Sequence, residues 1–171
     1  LKQELPTPNV YRTASGMPGH QYYQQQADYK MDIRLDDDKQ RIYGEESITY
    51  YNNSPDILPY LWIQLDQNVR AKDSDSKKIR TSSIVDKTSF SNLKRLTNDF
   101  DGGFKIDYVQ DLEGNELDIM VNKTMMRIHL EEPLKPGEKF SFKIKWWYNI
   151  NNRMEIGGRS GYEYFEEEDN Y

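Results

Sequence analysis

The chain has no cysteine. That absence excludes disulfides, thiol nucleophiles and thiolate metal sites, and it leaves the compartment open. Histidine occurs twice, at His20 and His129. No apolar run approaches the ~18 residues that a membrane-spanning helix needs. Charge of one sign is not concentrated either. Lys and Arg number 23 against 29 Asp and Glu, well interspersed, for a net charge of −6, which excludes the basic footprint of a nucleic-acid binder.

What the chain does have is aromatic side chains, 13% of the residues, with 13 Tyr. Tyr favours strands and half-buried sheet surfaces, so the composition leans towards an all-β protein. At 171 residues one domain is the natural reading, long enough to bury a sizeable core. Residues 1–20, rich in Pro and Gly, read as an extended lead-in. Residues 21–171 read as a single β-domain, whose part 151–171 is an irregular acidic tail.

The clearest strand is residues 140–150, FSFKIKWWYNI. Phe140, Phe142, Ile144, Trp146 and Tyr148 share one face, and Ser141, Lys143, Lys145 and Trp147 the other, a period of two that predicts a strand with one buried face. The turn Lys135-Pro136-Gly137-Glu138 introduces it. Residues 21–35 predict an earlier strand, with Tyr29, Met31, Ile33 and Leu35 alternating with Lys30, Asp32 and Arg34. A polar turn at 36–39 leads to a return strand over 41–51, with Ile42, Gly44, Glu46, Ile48 and Tyr50 on one face, making a long antiparallel hairpin. Residues 58–65 (LPYLWIQL) are apolar on both faces and predict a central strand covered on both sides. Residues 79–85 read as a short strand and 89–96 as a helical turn. Strands resume at 104–111, 116–121 and 124–130, the last with Met126, Ile128 and Leu130 inward and Arg127 and His129 outward. The fold class that follows is all-β: a mostly antiparallel β-sandwich or saddle-shaped multi-sheet domain with little helix.

The residues offer no catalytic constellation. His129 and Glu131 lie two apart on one strand face, but two ligands do not make a metal site. Asp36-Asp37-Asp38 lacks the central Gly and closing Glu of a calcium loop, so it reads as a hairpin turn. The run Glu166-Glu167-Glu168-Asp169 reads as solvated. Ser15, Ser47 and Ser160 have no nucleophile elbow around them. No carboxylate pair sits in an apolar setting that would tune a general acid. No catalytic and no metal-ligating residue is therefore named in this chain. Trp146-Trp147 and Tyr22-Tyr23 allow an aromatic platform, with Trp147 facing away from its strand's apolar side; exposed aromatics equally mark protein contacts.

Three stretches carry a resemblance: YKMDIRLDDDKQRIYGEESITYYNNSP, LPYLWIQLDQN, and LEEPLKPGEKFSFKIKWWYNI leading into GGRSGYEYFEEEDNY. Their order resembles the N-terminal β-domain of aminopeptidase N-like zinc metallopeptidases (peptidase family M-one), especially large exported bacterial members. Gly44, Ile48 and Tyr50 match its return strand, and Leu58, Leu61, Ile63 and Leu65 the strand that follows. Leu134, Pro136, Gly137, Glu138 and Tyr148 match its Pro-Gly turn and the strand after it. The resemblance implies a saddle-shaped β-domain packed on a separate catalytic domain. The His-Glu-x-x-His zinc ligands of that domain are not in this chain, and neither is the loop that holds the substrate's free amine; Met154-Glu155 is only an echo of it.

The implied function is a non-catalytic domain that walls the cleft of a zinc aminopeptidase and supports its catalytic domain, on a chain that stops before the active site. This chain would hold no cofactor, zinc being expected in the parent's catalytic domain. The partners would be that domain of the same polypeptide and, in the whole enzyme, a peptide substrate, with no nucleic acid and no membrane span. Trp147, Gly157, Gly158, Arg159, Tyr162, Tyr164 and Phe165 are the candidate interdomain or cleft-facing residues, which self-association could also cover. The start at Leu1 points to a processed or trimmed N-terminus and so to a periplasmic or extracellular parent; a cytoplasmic one stays open. The alternative is a stand-alone β-sandwich binding glycan or a partner protein through Trp147 and the Tyr-rich loops. A third reading is a structural domain of a surface assembly.

Overall fold

A computed structural model describes residues 7–77, 89–90, 99–156 and 160–165. The predicted strand at 79–85 and most of the helical turn at 89–96 lie outside these residues, as do Gly157, Gly158, Arg159 and the acidic run 166–169.

The described strands are β1 (Gln26–Asp36), β2 (Arg41–Tyr51), β3 (Leu58–Gln64), β4 (Lys105–Asp111), β5 (Ile119–Asn122), β6 (Met125–Leu134) and β7 (Lys139–Asn149). They form two sheets, one ordered β1-β2-β7-β4 and one ordered β3-β6-β5. All the strand pairings are antiparallel. A single helical turn, α1 (Arg153–Ile156), follows β7. The all-β expectation holds, as does the hairpin of β1 and β2 over its full length; β1 starts at Gln26 rather than at the predicted residue 21.

The core lies between the sheets. Ile48, Val109, Phe142 and Ile144 come from the four-stranded sheet, and Leu61, Leu65, Met126, Ile128, Leu130 and Leu134 from the other side. The predicted inward trio of β6 is buried as expected. The β7 row is less uniform: Phe142 and Ile144 are buried, while Phe140, Trp146 and Tyr148 are half-buried. A three-stranded sheet laid over a four-stranded one covers its middle and leaves margins.

The expectation for 58–65 needs correcting. β3 is an edge strand of its sheet, and Tyr60 and Trp62 are exposed. These rings pack on each other, centroids 6.0 Å apart, and the Arg127 guanidinium lies 4.9 Å over Tyr60. Aromatic residues on a solvated face gave the strand the look of one buried on both sides.

One polar residue ties the two sheets together. Asn52, fully buried at the end of β2, donates from Nδ2 to Asp56 O (2.7 Å) and Leu134 O (3.0 Å). Its Oδ1 accepts from Ser54 N–H and Oγ. Its backbone brackets the β6–β7 turn, through Asn52 N to Glu138 O (2.9 Å) and Gly137 N to Asn52 O (2.7 Å). Gly137 has φ +80, a conformation only glycine adopts without strain.

Candidate docking face

Residues opposed across antiparallel strands project to the same face. Tyr29 opposes Ile48, Met31 opposes Glu46, Ile33 opposes Gly44 and Leu35 opposes Ile42. Ile48, Gly44 and Glu46 in turn oppose Phe142, Trp146 and Ile144 of β7. The apolar row of β1 thus continues the face that forms the core, but it is left exposed among the described residues. Tyr29, Met31, Ile33 and Leu35 are 55%, 53%, 50% and 63% exposed. The inner face of the large sheet runs out from under its cover as an apolar overhang.

The boundary between core and overhang is built from aromatic rings. Trp146 lies directly over Gly44, where any Cβ would strike its indole. Its Nε1 donates to Glu46 Oε1 at 3.1 Å. Tyr148 stacks on it, centroids 5.8 Å apart, and Phe104 meets it edge-on at 5.0 Å. Glu46 is half-buried beside a small cleft of ≈ 190 Å³ lined also by Ile63, Leu65, Ile106 and Ile144. Desolvation pushes its pKa above the ordinary carboxylate value, and the bond from Trp146 pulls only partly the other way.

Of the sequence-predicted site residues, Trp147, Tyr162, Tyr164 and Phe165 are among those described. Trp147 is half-buried on the opposite face of β7. Its ring takes the Arg41 guanidinium at 4.4 Å and lies 6.3 Å from Tyr43, which carries Arg34 at 4.4 Å on its own ring. Trp147 is therefore one rung of a cation–π ladder across β1, β2 and β7. Tyr162 sits in the segment that returns after α1. Its N–H donates to Asn151 O (2.9 Å) and its carbonyl accepts from Arg153 N–H (3.0 Å). Buried Asn151 fixes the same segment through Nδ2 to Ser160 O (2.9 Å). Tyr164 and Phe165 follow, 43% and 51% exposed.

His129 and Glu131 line a wide groove with Glu116, Glu132 and Glu138, among Leu117, Pro133 and Phe140. Among the described residues, no group of three or more His, Cys, Asp or Glu is placed to hold a metal ion, and no helix is long and apolar enough to cross a membrane.

The alternation of β1 is plain in the sequence, but it carries no signal that says whether a second layer covers the apolar row.

No family model matches the chain, and no curated protein does. Solved structures that match include two of an M1 zinc metallopeptidase point mutant from Deinococcus radiodurans, one of them bound to a Tyr-Ser-Ala substrate. Each is 12% identical to this chain, covers 74% of it at a TM-score of 0.42, and is itself covered over 21% of its length. The chain therefore spans well under two thirds of the solved chains it matches.

Proposed function

We propose that the chain is the N-terminal, non-catalytic β-domain of a zinc-dependent metallopeptidase of the aminopeptidase type. Its overhang would dock against the catalytic domain of the same polypeptide. The observation that carries this reading is the row Tyr29, Met31, Ile33 and Leu35, each half or more exposed on the same sheet face as the core. A contiguous apolar row of this kind marks a contact surface. The sequence resemblance supplies the partner. Gly44 beneath Trp146 and Gly137 in the β6–β7 turn, two of the residues that carry it, have evident structural roles.

In that arrangement the domain positions and walls. It would present its overhang to the catalytic domain, exclude water from the joint and narrow the cleft towards chain ends. Zinc held by the catalytic domain would polarise the scissile carbonyl and activate water.

The test is on the reading frame and its product. The gene should continue into a segment with His-Glu-x-x-His. The whole polypeptide should release N-terminal residues from short peptides in a zinc-dependent manner, and the purified chain should do neither that nor bind zinc stoichiometrically. A frame that ends without such a segment, or a chain that cleaves peptides alone, contradicts the proposal. The binding-module alternative predicts tryptophan quenching by oligosaccharides that Trp147→Ala abolishes. The engagement of the Trp147 ring by Arg41 and Tyr43 gives that reading less support than the overhang gives the first.

A further inference from the structure

β1 is the outermost strand of its sheet, and residues 28–35 are exposed along their whole length. Every second N–H and C=O of such a strand points away from its one neighbour, as a template for a further strand. Edges are commonly defended by charge, and this one carries Asp28, Lys30, Asp32 and Arg34 on its outer face. Their order is not merely repulsive. It is self-complementary.

We propose that two copies of the chain pair antiparallel through β1, about a two-fold axis at Met31. The full strand, Gln26–Asp36, then overlaps its partner end to end. On the charged face Lys30 meets Asp32 of the second copy and Asp28 meets Arg34, and the axis repeats both pairs, so every charge from Asp28 to Arg34 faces its opposite. On the apolar face Met31 meets Met31 and Tyr29 meets Ile33.

The neighbouring registers fail, and a slide of four residues, which again opposes unlike charges, shortens the overlap of the 11-residue strand by four residues. Sliding one copy by a single residue sets apolar side chains against charged ones. Sliding it by two residues one way sets Lys30 against Lys30 and Asp28 against Asp32. Two residues the other way set Asp32 against Asp32 and Lys30 against Arg34. Like charges directly opposed are destabilising.

Asp32 supplies a further reason. Within the chain it lies opposite Glu45, a like-charged neighbour that a Lys30 from the second copy would offset. Pairing also joins two four-stranded sheets edge to edge and brings the two apolar overhangs side by side. The inference does not rest on the function proposed above, because it uses the edge of the sheet and not its face.

Sedimentation of the full chain over a concentration series tests it. A monomer–dimer equilibrium is expected. Lys30→Asp and Asp32→Lys should each weaken it about tenfold, since the two-fold axis makes every change count twice. The double variant Lys30→Asp/Asp32→Lys should restore it.

The absence of native cysteine allows an independent reading of register. Met31→Cys should cross-link under mild oxidation. Tyr29→Cys and Ile33→Cys should not, because each of those positions lies about 13 Å along the strand from its own copy. A chain that stays monomeric throughout overturns the proposal. So does a double variant as weak as the single ones, or cross-linking at positions 29 and 33 as fast as at 31.

Discussion

Gly44→Ala tests the packing at the edge of the core. A Cβ at this position would stand 2.6 Å from Trp146 Cε2 and 2.7 Å from Cη2, where carbon atoms settle at about 3.5–4.0 Å. The indole must retreat by about 1 Å. Three contacts hold it: the bond to Glu46 at 3.1 Å, the Tyr148 stack and the Phe104 edge. Overpacking of this kind costs about 1–3 kcal/mol. Relief of glycine's conformational entropy in a strand returns about 0.5–1 kcal/mol, so packing wins through most of the range and a net loss of about 1 kcal/mol is expected. For a chain of this size that lowers Tm by about 2–4 °C per kcal/mol.

Urea unfolding followed by tryptophan fluorescence measures the loss. Adding Trp146→Leu removes the obstacle, so the double variant should be less destabilised than the sum of the single ones, by about 0.5–3 kcal/mol. An unchanged or raised stability for Gly44→Ala, or strict additivity, would refute the reasoning.

Asn52→Ala should cost about 2–4 kcal/mol in urea unfolding, because the Leu134 carbonyl loses its donor and the buried Ser54 N–H and hydroxyl lose their acceptor, and buried unpaired groups cost about 1–3 kcal/mol each. Phe142→Ala, at the centre of the core, should cost about 3–5 kcal/mol, whereas Ile33→Asp on the overhang should cost the isolated chain only about 1 kcal/mol and lower its binding of a hydrophobic dye. Glu46→Gln should stabilise at neutral pH. The folded-state pKa of Glu46 lies above its ordinary value of 4.5, so the folded chain holds that proton more tightly than the unfolded one. The contribution of Glu46 is most favourable below about 4.5 and is lost as pH rises through the folded-state value. Thermal melts across that window should show the advantage of Glu46→Gln vanish on acidification.

The strands were legible where one face is apolar and the other charged. β1, β2, β6 and β7 have that pattern, and so do their turns, because Asp, Asn, Pro and Gly punctuate them. Coverage was not legible. Periodicity says which residues share a face and cannot say whether another layer lies on it, which is why Met31 and Phe142, alike in pattern, differ so far in burial. The same limit explains β3, where Tyr60 and Trp62 mimic burial by packing on each other and on Arg127. Asn52 escaped notice because its partners, Leu134 and Glu138, are some eighty residues away in the chain. Trp147 was recognised as facing outward, but its partner Arg41 depends on the β2–β7 register, which the sequence does not state.

Hydroxyl-radical footprinting tests the central claim most directly. Tyr29 and Met31 on the overhang are reactive reporters, and Tyr60, Trp62 and Met120, exposed on the other sheet, serve as internal controls. The chain alone, dilute enough to be monomeric, should be oxidised at both sets. In the longer polypeptide that the proposal expects, Met31 and Tyr29 should be protected several-fold while Tyr60 and Trp62 stay reactive. Equal oxidation of Met31 in the isolated chain and in that longer polypeptide would contradict the account.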